Sequence, residues 1–481
     1  MNPNKSNALI LGFRGLNDEA FDILYQSFNI IGIITDGDES ISTKNDFKQF
    51  EFKDITQQVL EFHKITQVII ELQSIDPYKL LEQVIYFYNL GLEIKSLTIK
   101  STHESNSHNT FTVNNLKFTD LINEEVAPSY SETLLNHMKD QTLLITGAAG
   151  SIGSELARML LNFNFKTLVL LDNAESALYE LQQELITRSV LNVIYTIGDV
   201  RSYNSMDSIF KLYKPTLVFH AAAYKHVPLM EAHPAEAIQT NILGTKHIAN
   251  LAKKHHVEQF VLISSDKAVN PTNVMGATKR AGELYIEYLN SISDTQFKTA
   301  RFGNVLASNG SVIPLFHKQI EKGGPITVTD KAIERYFISL KKACELILEC
   351  TVLKDEASIY VFEMGKPVRI YDLAKLMIGL NKAHNQSDIK IRITGSRPGE
   401  KIQEELVSSE ENSSPTEHKF IKAIQASAQN ISDFETKISK LCSKTHEFSN
   451  LELVEGIKAI VTNFTPNNPI YSEIEPKSKQ S

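Results

Sequence analysis

The chain has 481 residues, 42% of them hydrophobic and 22% charged, the profile of a soluble globular protein with material for two to four domains. Its formal net charge of −8, from 49 basic and 57 acidic residues, leaves no basic footprint for nucleic acid and argues against a polybasic membrane anchor. Three cysteines without C-x-x-C spacing, Cys344, Cys350 and Cys442, fit a reducing compartment and no structural metal.

The N-terminus, MNPNKSNALILGF, turns polar too quickly for a signal peptide. No apolar window reaches the length of a transmembrane helix. A cytoplasmic protein without an integral membrane segment is expected. In the first region, 1–125, NALILGF, NIIGIITD and QVIIEL read as strands. GLNDEAFDILYQSF and PYKLLEQVIYFYNLG read as helices between them, so a small Rossmann-like α/β domain is predicted. Its loop GFRGLNDE has only Gly12 and Gly15, too few for a phosphate cradle, and points to a structural or regulatory role. STHESNSHNT, at 101–110, reads as a loop, and FTVNNLKFTDLINEEVAPSY as a tether leading through a linker at 126–140.

From Gln141, the segments TLLIT, TLVLLD, NVIYTIGD, TLVFHAAA, QFVLISS and FKTARF are strands separated by helical patterns. They predict a doubly wound parallel Rossmann-type sheet. A less regular stretch to 408, with short strands such as ITVT and IYVFEMG, forms a smaller α/β substrate subdomain. A helical extension over 409–464 and a polar tail over 465–481 complete the chain.

The strongest local feature is TLLITGAAGSIGSELARMLL. Gly147, Gly150 and Gly153 open a helix directly after a strand, with Ser151 and Ile152 in the first turn. Such glycines permit a tight turn and close approach of backbone to a pyrophosphate, which meets free N–H groups at the helix start. Asp172, 19 residues beyond Gly153, can accept hydrogen bonds from ribose hydroxyls and would repel a 2′-phosphate, which favours NAD over NADP. Asp199 and Val200 are placed to meet the adenine, and Ala221, Ala222 and Ala223 end the strand that flanks the cofactor.

The second strong feature is LISSDKAVNPTNVMGATKRAGE. Ser265, Asp266 and Lys267 follow a strand's carboxyl end, where ligands bind in such sheets. Lys279 stands four residues after Met275, where most short-chain dehydrogenases carry Tyr-x-x-x-Lys.

With HAAAYKHVPLMEAHPAEAIQTNILGT, RFGNVLASNGSVIPLF and RPGEKIQEEL, this segment resembles the polysaccharide-biosynthesis nucleotide-sugar 4,6-dehydratases, extended short-chain dehydrogenases that act on UDP-N-acetylglucosamine. The resemblance covers about 140–410, and Met275 matches the branch with Met in place of Tyr, whose members usually carry transmembrane helices before a comparable small domain. It implies NAD as a cofactor regenerated in each turnover: hydride leaves sugar C4, water leaves from C5 and C6, and hydride returns to C6. It further implies that Asp266 is the acid for the C6 hydroxyl and Lys267 the base at C5. Lys279 would bind the nicotinamide ribose, and Ser265 the sugar O4. The thioether of Met275 cannot take the O4 proton, which leaves Asp266 or a water relay for that step. Lys225 and His226 would lie near the sugar or nicotinamide, and Asn241 would orient the site's loops. Asn304, Arg335 and Arg397 resemble ligands of the nucleotide diphosphate, with Glu400 holding the ribose or an arginine. Glu334 replaces the small residue usual before RYF. No metal is implied. A homo-oligomer is expected by analogy with other short-chain dehydrogenases. Three other readings remain: dehydration with C5 epimerisation, nucleotide-sugar 4-epimerisation, and a noncatalytic NAD-binding scaffold.

Overall fold

The computed structural model describes residues 4–12, 18–35, 47–75, 77–101, 109–121, 130–187, 192–354, 357–382, 389–425 and 433–474. Gly15, most of the loop predicted at 101–110, the start of the linker and the last residues of the tail lie outside them. The chain forms two compact units. One comprises Met1–Ala127, Val312–Val328 and Gly365–Arg392; the other comprises Pro128–Ser311, Thr329–Met364 and Ile393–Ser481. Among the described residues, no helix is long and apolar enough to cross a membrane.

The first unit contains a six-stranded sheet: β1 (Ser6–Leu11), β2 (Phe28–Thr35), β3 (Lys48–Glu51), β4 (Ile65–Glu71), β5 (Glu93–Ser101) and β6 (Asn109–Asn115), in the order β3-β2-β1-β4-β5-β6. Ala8, Ile10, Leu24 and Ile69 form its buried core. The segment expected as a tether is partly β6, paired antiparallel with β5 from Lys95↔Asn115 to Ser101↔Asn109. Its alternation of Phe111 and Val113 with polar residues is the period of a strand with one covered face.

The second unit contains a nine-stranded sheet. Its parallel strands include β7 (Thr142–Thr146), β8 (Thr167–Asp172), β9 (Val193–Ile197), β10 (Leu217–His220), β11 (Gln259–Ile263) and β12 (Gln296–Arg301), followed by Ile359–Phe362. β7 lies between β8 and β10, so the winding direction reverses there. A crevice opens beyond the carboxyl ends of strands at such a point. The sheet continues past Ile359–Phe362 through two antiparallel strands, Ile421–Ile424 and Ser413–Pro415. The expectation of a purely helical extension from 409 is corrected here: Ile421, Ala423 and Ile424 are buried on the sheet.

The helix Val274–Asn290 runs through the core, with 15 of its residues buried. Asn273 caps it, its side chain accepting from Gly276 N–H. The C-terminal helices Phe434–Ser443 and Asn450–Ile460 share its hydrophobic cluster through Ile438, Leu441, Val454 and Ile457.

Beneath this helix lies a charged network. Arg301, at the end of β12, donates to both carboxylate oxygens of Glu283, at 3.1 and 2.7 Å, and both side chains are 0% exposed. Arg280 donates to Glu283 at 2.8 Å, Ser264 at 2.6 Å, and Arg301 also reaches Glu411 at 2.8 Å. Burial alone would push the Glu283 carboxyl up, but the Arg301 and Arg280 charges reverse this and hold it at about 2 against the usual 4.5. Its contribution to stability is therefore complete above pH 4.5 and is lost as pH falls toward about 2. Arg301→Met leaves Glu283 short of its main partner and should lower unfolding free energy by about 3–5 kcal/mol, read by denaturant melts at neutral pH.

Candidate active site

β7 ends at Thr146, and Gly147 follows with φ +69°, a left-handed turn that glycine adopts without strain. A Cβ on Gly147 would lie 2.6 Å from Ala222 N, and one on Gly153 would lie 2.2 Å from Gly147 O. The glycines thus let the start of the Ser151–Leu160 helix and the end of β10 close around an open cradle. Asp172 fixes its rim, accepting Ala149 N–H and Ala174 N–H at 2.9 Å each. Arg201 grips Asp199 at 2.6 Å and, with its backbone N–H, lowers that carboxyl below the usual range despite partial burial. A cavity of about 250 Å³ here is lined by Gly147, Gly150, Asp172, Asp199, Val200, Ala221, Ala222 and Ala223. Of the residues predicted for the dinucleotide, these eight line it, whereas Ser151, Ile152, Gly153 and Lys279 do not.

A second cavity of about 470 Å³ shares Gly147, Gly150, Ala221, Ala223 and Tyr224 with the first. Ser151, Ile152, Gly153, Lys225, His226, Ser265, Lys267, Met275, Lys279 and Asn304 line it. The loop after Asn304 leans over it: Asn309 N–H donates to Ser151 Oγ at 3.1 Å, and Gly310 packs against the His226 ring. Burial and the neighbouring Lys225 charge push the His226 pKa down. Asn241 stands behind Tyr224, accepting its N–H at 2.8 Å and donating to its carbonyl at 3.0 Å. It sits in a π-helical segment, Ile238–Gly244, whose widened turn has no clear signature in the sequence.

Ser265 and Lys267, expected from sequence to act with Asp266, line this cavity. Asp266 is fully buried behind it. Ser265 Oγ donates to Asp266 Oδ1 at 2.8 Å. Lys267 Nζ donates to Asp266 Oδ1 at 3.0 Å and to Asn304 Oδ1 at 3.1 Å. Asp266 Oδ2 has no hydrogen-bond partner among the described residues. Burial works against a charge on Lys267, but the Asp266 and Glu404 carboxylates outweigh it and raise its pKa. Lys279 is different. Its Nζ donates to Ile263 O at 2.5 Å, and burial, partly offset by Glu283, pushes its pKa down to about 8. Met275, one turn earlier on the same helix, is 3% exposed and presents an apolar wall.

Arg335 and Arg397, expected to bind the diphosphate, and Glu400, expected to hold the ribose or an arginine, line neither cavity. Arg335 spends its guanidinium on the carbonyls of Glu334, Lys401 and Ile402 at 2.6–3.2 Å. Arg397 is exposed, and its backbone N–H donates to Glu400 Oε2 at 3.1 Å. Glu400 accepts from Thr329 Oγ1 at 3.2 Å. Together these residues brace the 397–404 segment. Glu404, overlooked although it lies in the RPGEKIQEEL motif, is buried 3.7 Å from Lys267 Nζ. Arg301 and Glu283 were also overlooked. A lone Arg ending the apolar strand FKTARF was their one signal. Among the described residues, no group of three or more His, Cys, Asp or Glu side chains is placed to hold a metal ion.

Residues 143–426 match the family described as polysaccharide biosynthesis protein. The chain belongs to that family. It is 46% identical over 301 residues to the probable polysaccharide biosynthesis protein EpsC of Bacillus subtilis, covering 62% of this chain and 50% of that one. It is 46% identical over 305 residues to the capsular polysaccharide biosynthesis protein CapD of Staphylococcus aureus, covering 62% and 51%. The chain thus spans about half the length of these two curated relatives. A UDP-glucose 4-epimerase of Rickettsia bellii is 40% identical over 281 residues, covering 56% of this chain and 79% of that one. Among solved structures, Pen from Bacillus thuringiensis is 34% identical with a TM-score of 0.56, covering 61% of this chain and 90% of that one. The fold of this family member is a Rossmann-type, doubly wound parallel sheet.

Gly153→Ala forces a Cβ into the carbonyl of Gly147, at an overpacking cost of about 1–3 kcal/mol. Dinucleotide affinity, measured by calorimetric titration, should fall about tenfold or more while the sheet remains folded.

Proposed function

We propose that this chain is an NAD-dependent nucleotide-sugar 4,6-dehydratase. Its substrate would be UDP-N-acetylglucosamine and its product the UDP-4-keto-6-deoxy sugar, made in the cytoplasm for surface polysaccharide or glycan synthesis. The observation that carries this reading is the Asp266–Lys267 pair: Lys267 lines a cavity that shares residues with the glycine cradle, and Asp266 is buried behind it. The cradle fits NAD: Gly147 and Gly153 let strand end and helix start close together where added Cβ atoms would strike backbone, and the carboxylate of Asp172 disfavours a 2′-phosphate. NAD, when bound, would accept a hydride from sugar C4 and return one at C6.

The protein's own side chains move the protons. Ser265 lines the cavity and its Oγ donates to Asp266, which offers a route for the O4 proton through Ser265 to the Asp266 carboxylate. This route needs no phenol at position 275. The resulting ketone acidifies the C5 proton, and a neutral Lys267 takes it. Asp266 then gives its proton to the departing C6 hydroxyl, so the O4 proton leaves in the water. Lys267 returns its proton to C5, and the pair is restored to carboxylate and amine. Lys279 and Asn304 hold the ring and the amine in place without exchanging protons in this scheme. Because Lys267 starts protonated, activity should rise with pH as that proton is removed.

A second reading, 4-epimerisation, is favoured by the similarity to the Rickettsia bellii protein. Epimerisation needs no acid at C6. Purified protein given NAD and UDP-N-acetylglucosamine should yield a nucleotide sugar lighter by one water, without net reduction of the cofactor. Asp266→Asn and Lys267→Met should each slow this by about 10²–10⁴-fold. An Asp266→Asn protein that still interconverts C4 epimers would establish the second reading. Folded, NAD-loaded protein that alters no UDP-sugar would be a binding scaffold.

A further inference from the structure

Lys267 has a third oxygen neighbour. Its Nζ lies 3.0 Å from Asp266 Oδ1, 3.1 Å from Asn304 Oδ1 and 3.7 Å from Glu404 Oε1. The first two are hydrogen bonds; the Glu404 carboxylate stands further off, as an ion-pair partner of the ammonium. The Glu404 side chain is 2% exposed and lines neither the cradle nor the adjoining cavity. Its Oε2 has no hydrogen-bond partner among the described residues, and its Oε1 stands between two cations, Lys267 Nζ at 3.7 Å and Arg335 Nε at 3.9 Å.

The segment bearing Glu404 is bolted to the loop bearing Lys267. Thr272 Oγ1 and Asn273 Nδ2 each donate to Gly399 O at 3.1 Å, and Lys401 Nζ donates to Val269 O at 2.9 Å. Arg335 holds the carbonyls of Lys401 and Ile402, and its Nε lies 3.9 Å from Glu404 Oε1. The charged groups facing Lys267 are therefore Asp266, Glu404 and Arg335, with Tyr336 standing beside Asp266.

We propose that Glu404 is a positioning residue. Its carboxylate, anchored outside the cavity, holds the Lys267 amine against Asp266 and Asn304 and sets the pH at which that amine gives up its proton. The catalytic consequence rests on the reading of Lys267 as the C5 base; the electrostatic coupling does not. Glu404 adds to the charge that keeps Lys267 protonated, after Asp266 and against Arg335.

The test is competitive labelling of the whole protein with trace acetic anhydride across a pH series, with the Lys267 peptide followed by mass spectrometry. Lys267 is 17% exposed and within reach of the reagent. Glu404→Gln keeps the side chain's shape and removes its charge. Its Lys267 reactivity midpoint should fall by about 1–3 pH units. Glu404→Asp, which withdraws the carboxylate by one methylene, should give a smaller shift in the same direction and serves if the Gln variant fails to fold. The acid limb of kcat on the UDP-sugar should move by the same amount as the labelling midpoint. A midpoint that stays put in a folded, dinucleotide-binding Glu404 variant overturns the proposal. If the wild-type protein turns over no UDP-sugar, the proposed function fails while the labelling still decides the role of Glu404.

Discussion

The ion pair between Arg301 and Glu283 is the constraint on which the active end of this sheet depends. Two fully buried charges join the last residue of β12 to the middle of the Val274–Asn290 helix. The same carboxylate accepts from Ser264, the residue before the Ser265-Asp266-Lys267 run, and Arg301 extends the network to Glu411. A buried charge that loses its partner is costly, so the network admits few alternative arrangements. It fixes the height of the helix against the strand ends. That in turn fixes Met275 and Lys279 relative to Asp266 and Lys267. Glu283 also bears on Lys279, countering part of the burial that draws that amine down to about 8.

Above this base, two kinds of site share one crevice. The glycine cradle works by absence: at Gly147 and Gly153 any side chain would collide with backbone, so polar N–H groups and the helix start are left bare for an anion. The reactive end works by crowding. Lys267, Asp266, Glu404 and Arg335 are gathered within a few ångströms and largely withheld from water, where each charge acts strongly on its neighbours. In the proposed chemistry this crowding permits a closed proton circuit, from sugar O4 through Ser265 and Asp266 to the leaving hydroxyl. Loss of a tyrosine hydroxyl at position 275 is then compatible with turnover, because the path runs along the neighbouring loop.

The parallel strands and the glycine turn were legible because both are local patterns: apolar runs at regular spacing, and three glycines between a strand and a helix. The grouping of Ser265, Lys267, Met275 and Lys279 was legible for the same reason, since one loop and one helix turn carry all four. What was not legible depends on distant contacts. Nothing in HKFIKAIQ announces that Ile421–Ile424 pairs antiparallel with Ile359–Phe362. Arg335 and Arg397 have the chemistry of phosphate ligands, but backbone carbonyls occupy the first and the second points to solvent. Glu404 looked like one acidic residue among several in its motif, and only folding brings it to Lys267.

The most direct test of the central claim follows one hydrogen through the reaction. UDP-N-acetylglucosamine carrying deuterium at C4 would be converted by the NAD-loaded protein, and the product examined by NMR. The account predicts that the deuterium appears on C6 of a 4-keto-6-deoxy sugar. Deuterium returned to C4 of an intact, epimerised sugar would contradict it.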